Sequence, residues 1–167
     1  SEGLQRVIVP ASEATSTSVA SWNQLAKMST GDLLFAIADD LEPSATGWDD
    51  QLDRVIERYN PSRACFAMKI SDHHSPSDVQ LRHPLVSGQH FRRHGLFDSR
   101  FSGMYVDRDK TLSSFWGCKI LDTRTVRFDH KNPLVDAEVT PSRSFLHANR
   151  SSEYRAGRET FDAKWSP

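Results

Sequence analysis

The chain has little of what would place it in several large protein classes. Two cysteines occur in 167 residues, Cys65 and Cys118, far apart and each in an apolar run, ACFAM and FWGCKI. They read as separate buried thiols of a reducing compartment, not as a disulfide framework. No apolar run approaches the roughly 20 residues of a membrane-spanning helix. The N-terminus has no basic stretch followed by an apolar one, so no secretory signal is expected. Together these point to a soluble, cytoplasmic protein. The net charge is −1, from 21 Lys and Arg against 22 Asp and Glu, which excludes a global basic field for nucleic acid or an anionic membrane. The chain also lacks a P-loop or dinucleotide-type glycine loop, a Gly-x-Ser-x-Gly elbow and a paired Cys-x-x-Cys. Neither an internal repeat nor a low-complexity segment is present.

What remains is a chain long enough for one domain with a proper core. RVIV (6–9), stopped by Pro10, is a strand signal, and a small polar loop, ASEATSTS, follows. In SVASWNQLAKM the residues Val19, Trp22, Leu25, Ala26 and Met28 recur at helical spacing, and Thr30-Gly31 closes the helix. LLFAIA (33–38) is a strand whose continuous apolarity predicts burial on both faces, as in a parallel sheet. Trp48, Leu52, Val55, Ile56 and Tyr59 share one face of a second helix, with Asp49 and Asp50 in its first turn and Asn60-Pro61 as its stop. ACFAMKI (64–70) is a third strand, and residues 85–95 are a helix or a strand leading into one. A helix is expected over 107–117 with Leu112 and Phe115 inward, and VRFDH (126–130) alternates as a strand. The polar, Arg-rich tail from 136 to 167 is weakly patterned. Strands alternating with helices predict an α/β domain, three layers (α/β/α) around a mostly parallel central sheet.

Ligands bind such sheets beyond the carboxyl ends of the strands, and Asp39-Asp40 stand at one such end. Adjacent carboxylates repel and lose solvation near a core. A divalent cation with hard oxygen ligands, Mg²⁺ or Mn²⁺, relieves both penalties. The structural alternative is one aspartate as a helix cap and the other solvated. His73-His74 with Asp72 and Asp78 form another acidic and imidazole group, but their Ser- and Pro-flanked setting reads as a solvated turn. Arg92-Arg93 read as a solvated helix face, and the tail arginines Arg143, Arg150, Arg155 and Arg158 as candidates for a lid over a diphosphate.

The ordered set Asn23, Gly31-Asp32, an apolar strand, Asp39-Asp40, Pro43 and Trp48 resembles the GT-A glycosyltransferases, in particular the family-2-like nucleotide-diphospho-sugar transferases. The resemblance implies that Asn23, Asp32 and Asp39 face the nucleotide-sugar donor, and that Asp39 and Asp40 hold a Mn²⁺ or Mg²⁺ bridging its diphosphate. The chain reads Ala38-Asp39-Asp40, not Asp-x-Asp, so which aspartate touches the metal stays open. Downstream, HPLVSGQHFRRHGLFDSRFSGMYVDRDKTLSSFW looks like the family's acceptor half. It carries the general base onto Asp107, with Asp109 the second choice. A carboxylate there would take the hydroxyl proton as oxygen attacks the anomeric carbon. The helix cap is the competing role, and the two are compatible. VRFDHKNP resembles the family's His-x-His-Pro element, whose histidine completes the metal site; the resemblance puts His130 in that role, with Asn132 in place of the second histidine and Asp129 an alternative oxygen ligand.

The family's nucleobase-gripping front has no clear counterpart. RVIVP matches its third strand, or its first with elements lost. The resemblance thus implies a single GT-A-like domain over 1–167, truncated at the front: 1–60 a donor and metal half, 61–135 an acceptor half, 136–167 a tail or lid. A homo-oligomer or a second chain would complete it. The function implied is sugar transfer from a nucleotide-diphosphate sugar to a carbohydrate or other hydroxyl acceptor. The alternatives are a catalytically degenerate binding module and a metal-dependent sugar-nucleotide hydrolase.

Overall fold

The structure, a computed structural model, describes residues 17–59, 63–72, 79–134 and 136–166. The expected RVIV strand, the Asn60-Pro61 stop, His73, His74 and Asp78 lie outside them. Helix α1 (Ser18–Met28) opens where the Thr17 hydroxyl accepts the Ala20 N–H at 3.1 Å, satisfying one orphan donor of the first turn. Strands β1 (Leu33–Phe35) and β2 (Leu41–Pro43) follow, then α2 (Trp48–Ile56), β3 (Phe66–Ser71), β4 (Leu85–Ser87) and α3 (Gly88–His94). α4 (Val106–Gly117) leads into β5 (Lys119–His130), and α5 (Arg143–Ala148) and α6 (Ser151–Trp165) end the chain. Residues 85–95 are thus a strand leading into a helix.

The fold is α/β with one five-stranded sheet in the order β1-β4-β3-β5-β2. The mostly parallel sheet expected from the sequence is not found: β3–β5 is parallel, whereas β1–β4, β3–β4 and β2–β5 are antiparallel. Continuous apolarity reports burial on two faces but carries no information on the direction of the neighbouring strand. β3 shows that burial. Ala67 enters one core cluster with Val19, Leu34, Phe97 and Val106, while Phe66, Met68 and Ile70 enter another with Leu52, Ile56 and Phe128. The period of two along the strand makes this division.

LLFAIA is shorter as a strand than expected. β1 ends at Phe35 and Ile37 is exposed. β1 and β2 lie at opposite edges of the sheet, yet residues 36–40 alone connect them. Crossing four strand intervals requires roughly 19 Å, and six residue steps reach at most about 20–22 Å. The link therefore runs across the strand ends of a curled sheet. Its two ends are tied down, Ala36 N–H to Pro84 O at 3.1 Å and Lys131 N–H to Asp40 O at 2.7 Å.

Three further expectations are corrected. The strand expected over 126–130 is the second half of a 12-residue strand, β5. Phe115 is exposed, because the inward face of α4 is Val106, Asp109, Lys110 and Ser114, a largely polar set that hydropathy does not reveal. The cysteines are joined as a Cys65–Cys118 disulfide with Cα atoms 5.5 Å apart. The register that sets Phe66 opposite Lys119 brings the preceding residues together, and the argument for a reducing compartment that rested on separate thiols falls with it. No described helix is long and apolar enough to cross a membrane.

The weakly patterned tail carries two helices, α5 and α6, and α6 docks closely. Gly157 is buried where a Cβ would come within 2.5 Å of the Met104 carbonyl oxygen, and Phe161 packs on Tyr105 with ring centroids 5.8 Å apart. Gly157→Ala is expected to lift α6 and cost about 1–3 kcal/mol, read as a lowered urea midpoint; an unchanged midpoint would show that α6 contributes little to stability.

Candidate functional site

Side chains from four places converge where the 36–40 link crosses the sheet. β5 delivers His130 at its last residue, opposite Leu41 of β2. The link delivers Asp40, whose Oδ2 lies 3.3 Å from His130 Nε2 and accepts a longer bond from Asn132 Nδ2 at 3.4 Å. Pro84, immediately before β4, is preceded by His83, whose ring meets the His130 ring edge-on with centroids 5.1 Å apart. Asp72, just past β3, completes the group: ligand atoms of Asp72, His83 and His130 all lie within 4.8 Å of one another.

The electrostatics of this group are unbalanced. Asp72 is 5 % and His83 7 % exposed. Asp72 is compensated by Arg82 at 3.4 Å. Both ring nitrogens of His83 and the Oδ1 of Asp40 are buried without a hydrogen-bond partner among the described residues. Burial, followed by the nearby His130, pushes the His83 imidazole down to about 4, so it is neutral near pH 7 with a lone pair to offer. Buried polar atoms normally find partners. Two imidazoles and two carboxylates, with both His83 nitrogens and Asp40 Oδ1 lacking partners among the described residues, could hold a divalent cation, and imidazole nitrogen shifts the preference from Mg²⁺ towards Mn²⁺ or a later metal.

The candidates read from the sequence separate into groups. Asp40 and His130 meet. Asp39, beside Asp40, is exposed. Asp129 points to the other side of β5, as alternation requires, and accepts from Ser44 Oγ at 2.8 Å. Asp32 precedes β1 at its opposite end, where its carbonyl accepts the Gly88 N–H at 2.7 Å. Asn23 is engaged elsewhere: its Nδ2 donates to Phe97 O and its Oδ1 accepts the Phe97 N–H, both at 3.0 Å, so it clamps α1 to the chain before α4. Arg92 and Arg93 are exposed, as expected. Arg150 pairs with Glu153 and Arg158 with Asp162 along α6.

Asp107 opens α4. Its Oδ1 accepts the Arg108 N–H at 2.8 Å, and with the Gln80 amide oriented to match, Gln80 donates to its Oδ2 at 2.8 Å. Gln80 is three residues from His83, so one short segment touches both the imidazole cluster and Asp107. Asp109 is buried, and its Oδ1 accepts both Lys164 Nζ at 2.7 Å and Trp165 Nε1 at 2.8 Å from α6. Lys164 also binds Asp98 at 2.9 Å. Burial pushes Lys164 down, but the bonds to Asp109 and Asp98 outweigh it and hold its pKa above the ordinary lysine value. Arg100, then Lys164, hold Asp98 well below the usual carboxylate range against its partial burial. A 250 Å³ cavity opens among Asp98, Asp109, Lys110, Ser113 and Lys164. Lys110 donates to Gly95 O at 3.0 Å, and burial pushes it down to about 7.

Sequence reasoning missed His83 and assigned Asp72 to a solvated turn. The available signal was weak: a histidine directly before the proline that precedes an apolar strand, and an aspartate directly after another. Comparison of the chain with protein-family models, curated proteins and solved structures gives no significant match.

His90 supplies a pH test away from the imidazole cluster. It is fully buried, with Nε2 3.0 Å from Ser114 Oγ, and burial, then Lys110 and His94, push it from 6.5 down to about 3. The unfolded chain takes up its proton near pH 6.5, the folded chain only near 3. This histidine therefore withdraws stability as pH falls through that window and leaves it intact above. His90→Gln is expected to flatten the decline in unfolding free energy over that range; a decline as steep as the parent's would exclude His90 as a source.

Proposed function

We propose that the chain is the metal- and acceptor-side part of a glycosyltransferase that uses a nucleotide-diphosphate sugar. The observation that carries this reading is the Asp40–His130 approach beside His83, with Asp40 Oδ1 and both His83 nitrogens buried and unbonded. Asp40 and His130, two of the three residues that the family resemblance assigns to the metal, are distant in sequence and neighbours in the fold, while the third, Asp39, is exposed. Asp40, His83 and His130 would hold Mn²⁺ or Mg²⁺, with Asp72 as a further oxygen donor once released from Arg82. The metal, when bound, would neutralise the charge that develops on a departing diphosphate.

The chain's own residues would do the rest. Asp107, oriented by Gln80, accepts the proton of the attacking hydroxyl. Asp109 is buried and its Oδ1 is held by Lys164 and Trp165, which favours the more accessible Asp107 as the base. The resemblance gives Asp39 a place on the donor side, and its exposure next to Asp40 suits contact with a ligand in solvent. A hydrolase would use the same residues with water as the nucleophile, and release of free sugar without an acceptor distinguishes it.

Thermal-shift titration tests the reading. Mn²⁺ with UDP or GDP is expected to raise the melting temperature beyond Mn²⁺ alone, since a ligand selective for the folded state stabilises it. Asp40→Asn and His83→Gln should abolish that increment. Asp107→Asn should keep it while losing transfer by about 10²–10⁴-fold. A folded sample unmoved by any metal and nucleoside diphosphate pair overturns the proposal.

A further inference from the structure

A second group of metal-ligating side chains lies at the other end of the β3–β5 pair. Cys65 precedes β3, Cys118 stands between α4 and β5, and His94 is the last residue of α3. One ligand atom from each lies within 4.8 Å of the other two. Three separate elements supply the donors, and backbone pairing fixes two of them: Lys119 N–H donates to Cys65 O at 3.3 Å in the register of the parallel ladder. The third is placed by a glycine. The His94 ring lies across Gly117, where a Cβ would fall 2.6 Å from its Cε1, so any larger residue there would push the imidazole away. The cysteines are half-buried and His94 is exposed, so the group has an open path to solvent.

We propose that Cys65, Cys118 and His94 form a Zn²⁺ site in the reduced chain, and that the disulfide is its oxidised, metal-free form. Two thiolates and an imidazole are the donor set of a soft or borderline cation, and three protein ligands leave a fourth tetrahedral position for water. This chemistry is distinct from the carboxylate and imidazole cluster at the opposite strand ends, where hard oxygen donors suit Mn²⁺. Conversion between the forms is a thiol–disulfide exchange. A dithiol reductant supplies two electrons and two protons to the Cys65–Cys118 bond and is itself oxidised to a disulfide. Zn²⁺ then displaces the two thiol protons into solvent. Bound metal would hold the ends of α3 and α4 against the start of β3, as the disulfide does for α4 alone.

The test uses the full chain, reduced and held without oxygen, titrated with Co²⁺ and then Zn²⁺. Expected are the visible bands of tetrahedral Co²⁺ with thiolate-to-metal charge transfer, both removed by one equivalent of Zn²⁺ and unaffected by excess Mn²⁺. The charge-transfer band comes only from cysteine, which separates this site from the one containing His83. His94→Ala should weaken Co²⁺ binding by at least the roughly 10–100-fold that loss of a supporting contact costs. Gly117→Ala should weaken it with all three donors retained. Cys65→Ser and Cys118→Ser remove the disulfide as well as a ligand, so a second measurement on the unaltered chain accompanies them: Zn²⁺ should protect both thiols from iodoacetamide, read by mass spectrometry. A reduced chain that shows no charge transfer, alkylates equally fast with saturating Zn²⁺, or stays unfolded in its presence overturns the proposal, as does unchanged affinity in His94→Ala.

Discussion

The parallel pairing of β3 with β5 is the constraint on which the rest of the structure depends. β5 is long enough to serve two partners. Its first half runs parallel to β3 and its last residues run antiparallel to β2, with an irregularity between Ile70 and Ser71 of β3. One end of the β3–β5 pair brings Cys65 and Cys118 together. The other carries Asp72 and His130 to the strand ends, where the link from β1 to β2 lays Asp40 against His130. A slip of one residue in this register would separate the sulfurs and turn His130 to the opposite face, because side-chain direction alternates along a strand.

Two parts of the molecule treat buried polarity differently. Around α4 and α6 it is satisfied: Asp109 takes Lys164 and Trp165, Lys164 also takes Asp98, and Lys110 reaches a backbone carbonyl. Such pairs offset the cost of removing charge from water only when the remaining lone pairs and protons are also bonded. Here they hold the last helix in place. Around Asp40 and His83 satisfaction is incomplete. Satisfied polar groups specify packing, whereas each unsatisfied one carries a desolvation cost that the fold itself does not offset. By that contrast the Asp98–Asp109–Lys164 network is a structural latch, whereas the cluster around Asp40 and His83 keeps buried polar atoms without a partner among the described residues.

Some of this was legible in the sequence. The positions of α1, α2, α4 and β3 follow from local signals: periodicity, the acidic first turn of α2 and apolar runs, while residues 85–95 were legible only as a helix or a strand leading into one. The acidic pair was identifiable as a functional candidate because two carboxylates beside an apolar run are costly without a partner. Asp40 and His130 could be named together only through the order of short motifs. Which aspartate faces the histidine was not readable, since both occupy one turn and only its path over the strand ends turns Asp40 inward.

Amino-acid order alone determined the helical character of α1, α2 and α4, the apolar run of β3 and which side chains carry metal-binding chemistry, because these depend on residues a few positions apart. Tertiary structure decided strand direction, the pairing of Cys65 with Cys118, the burial of Asp72 and the recruitment of His83. Each of these is set by the register between segments distant along the chain, and register follows from how two core faces pack against one sheet, which no local pattern encodes.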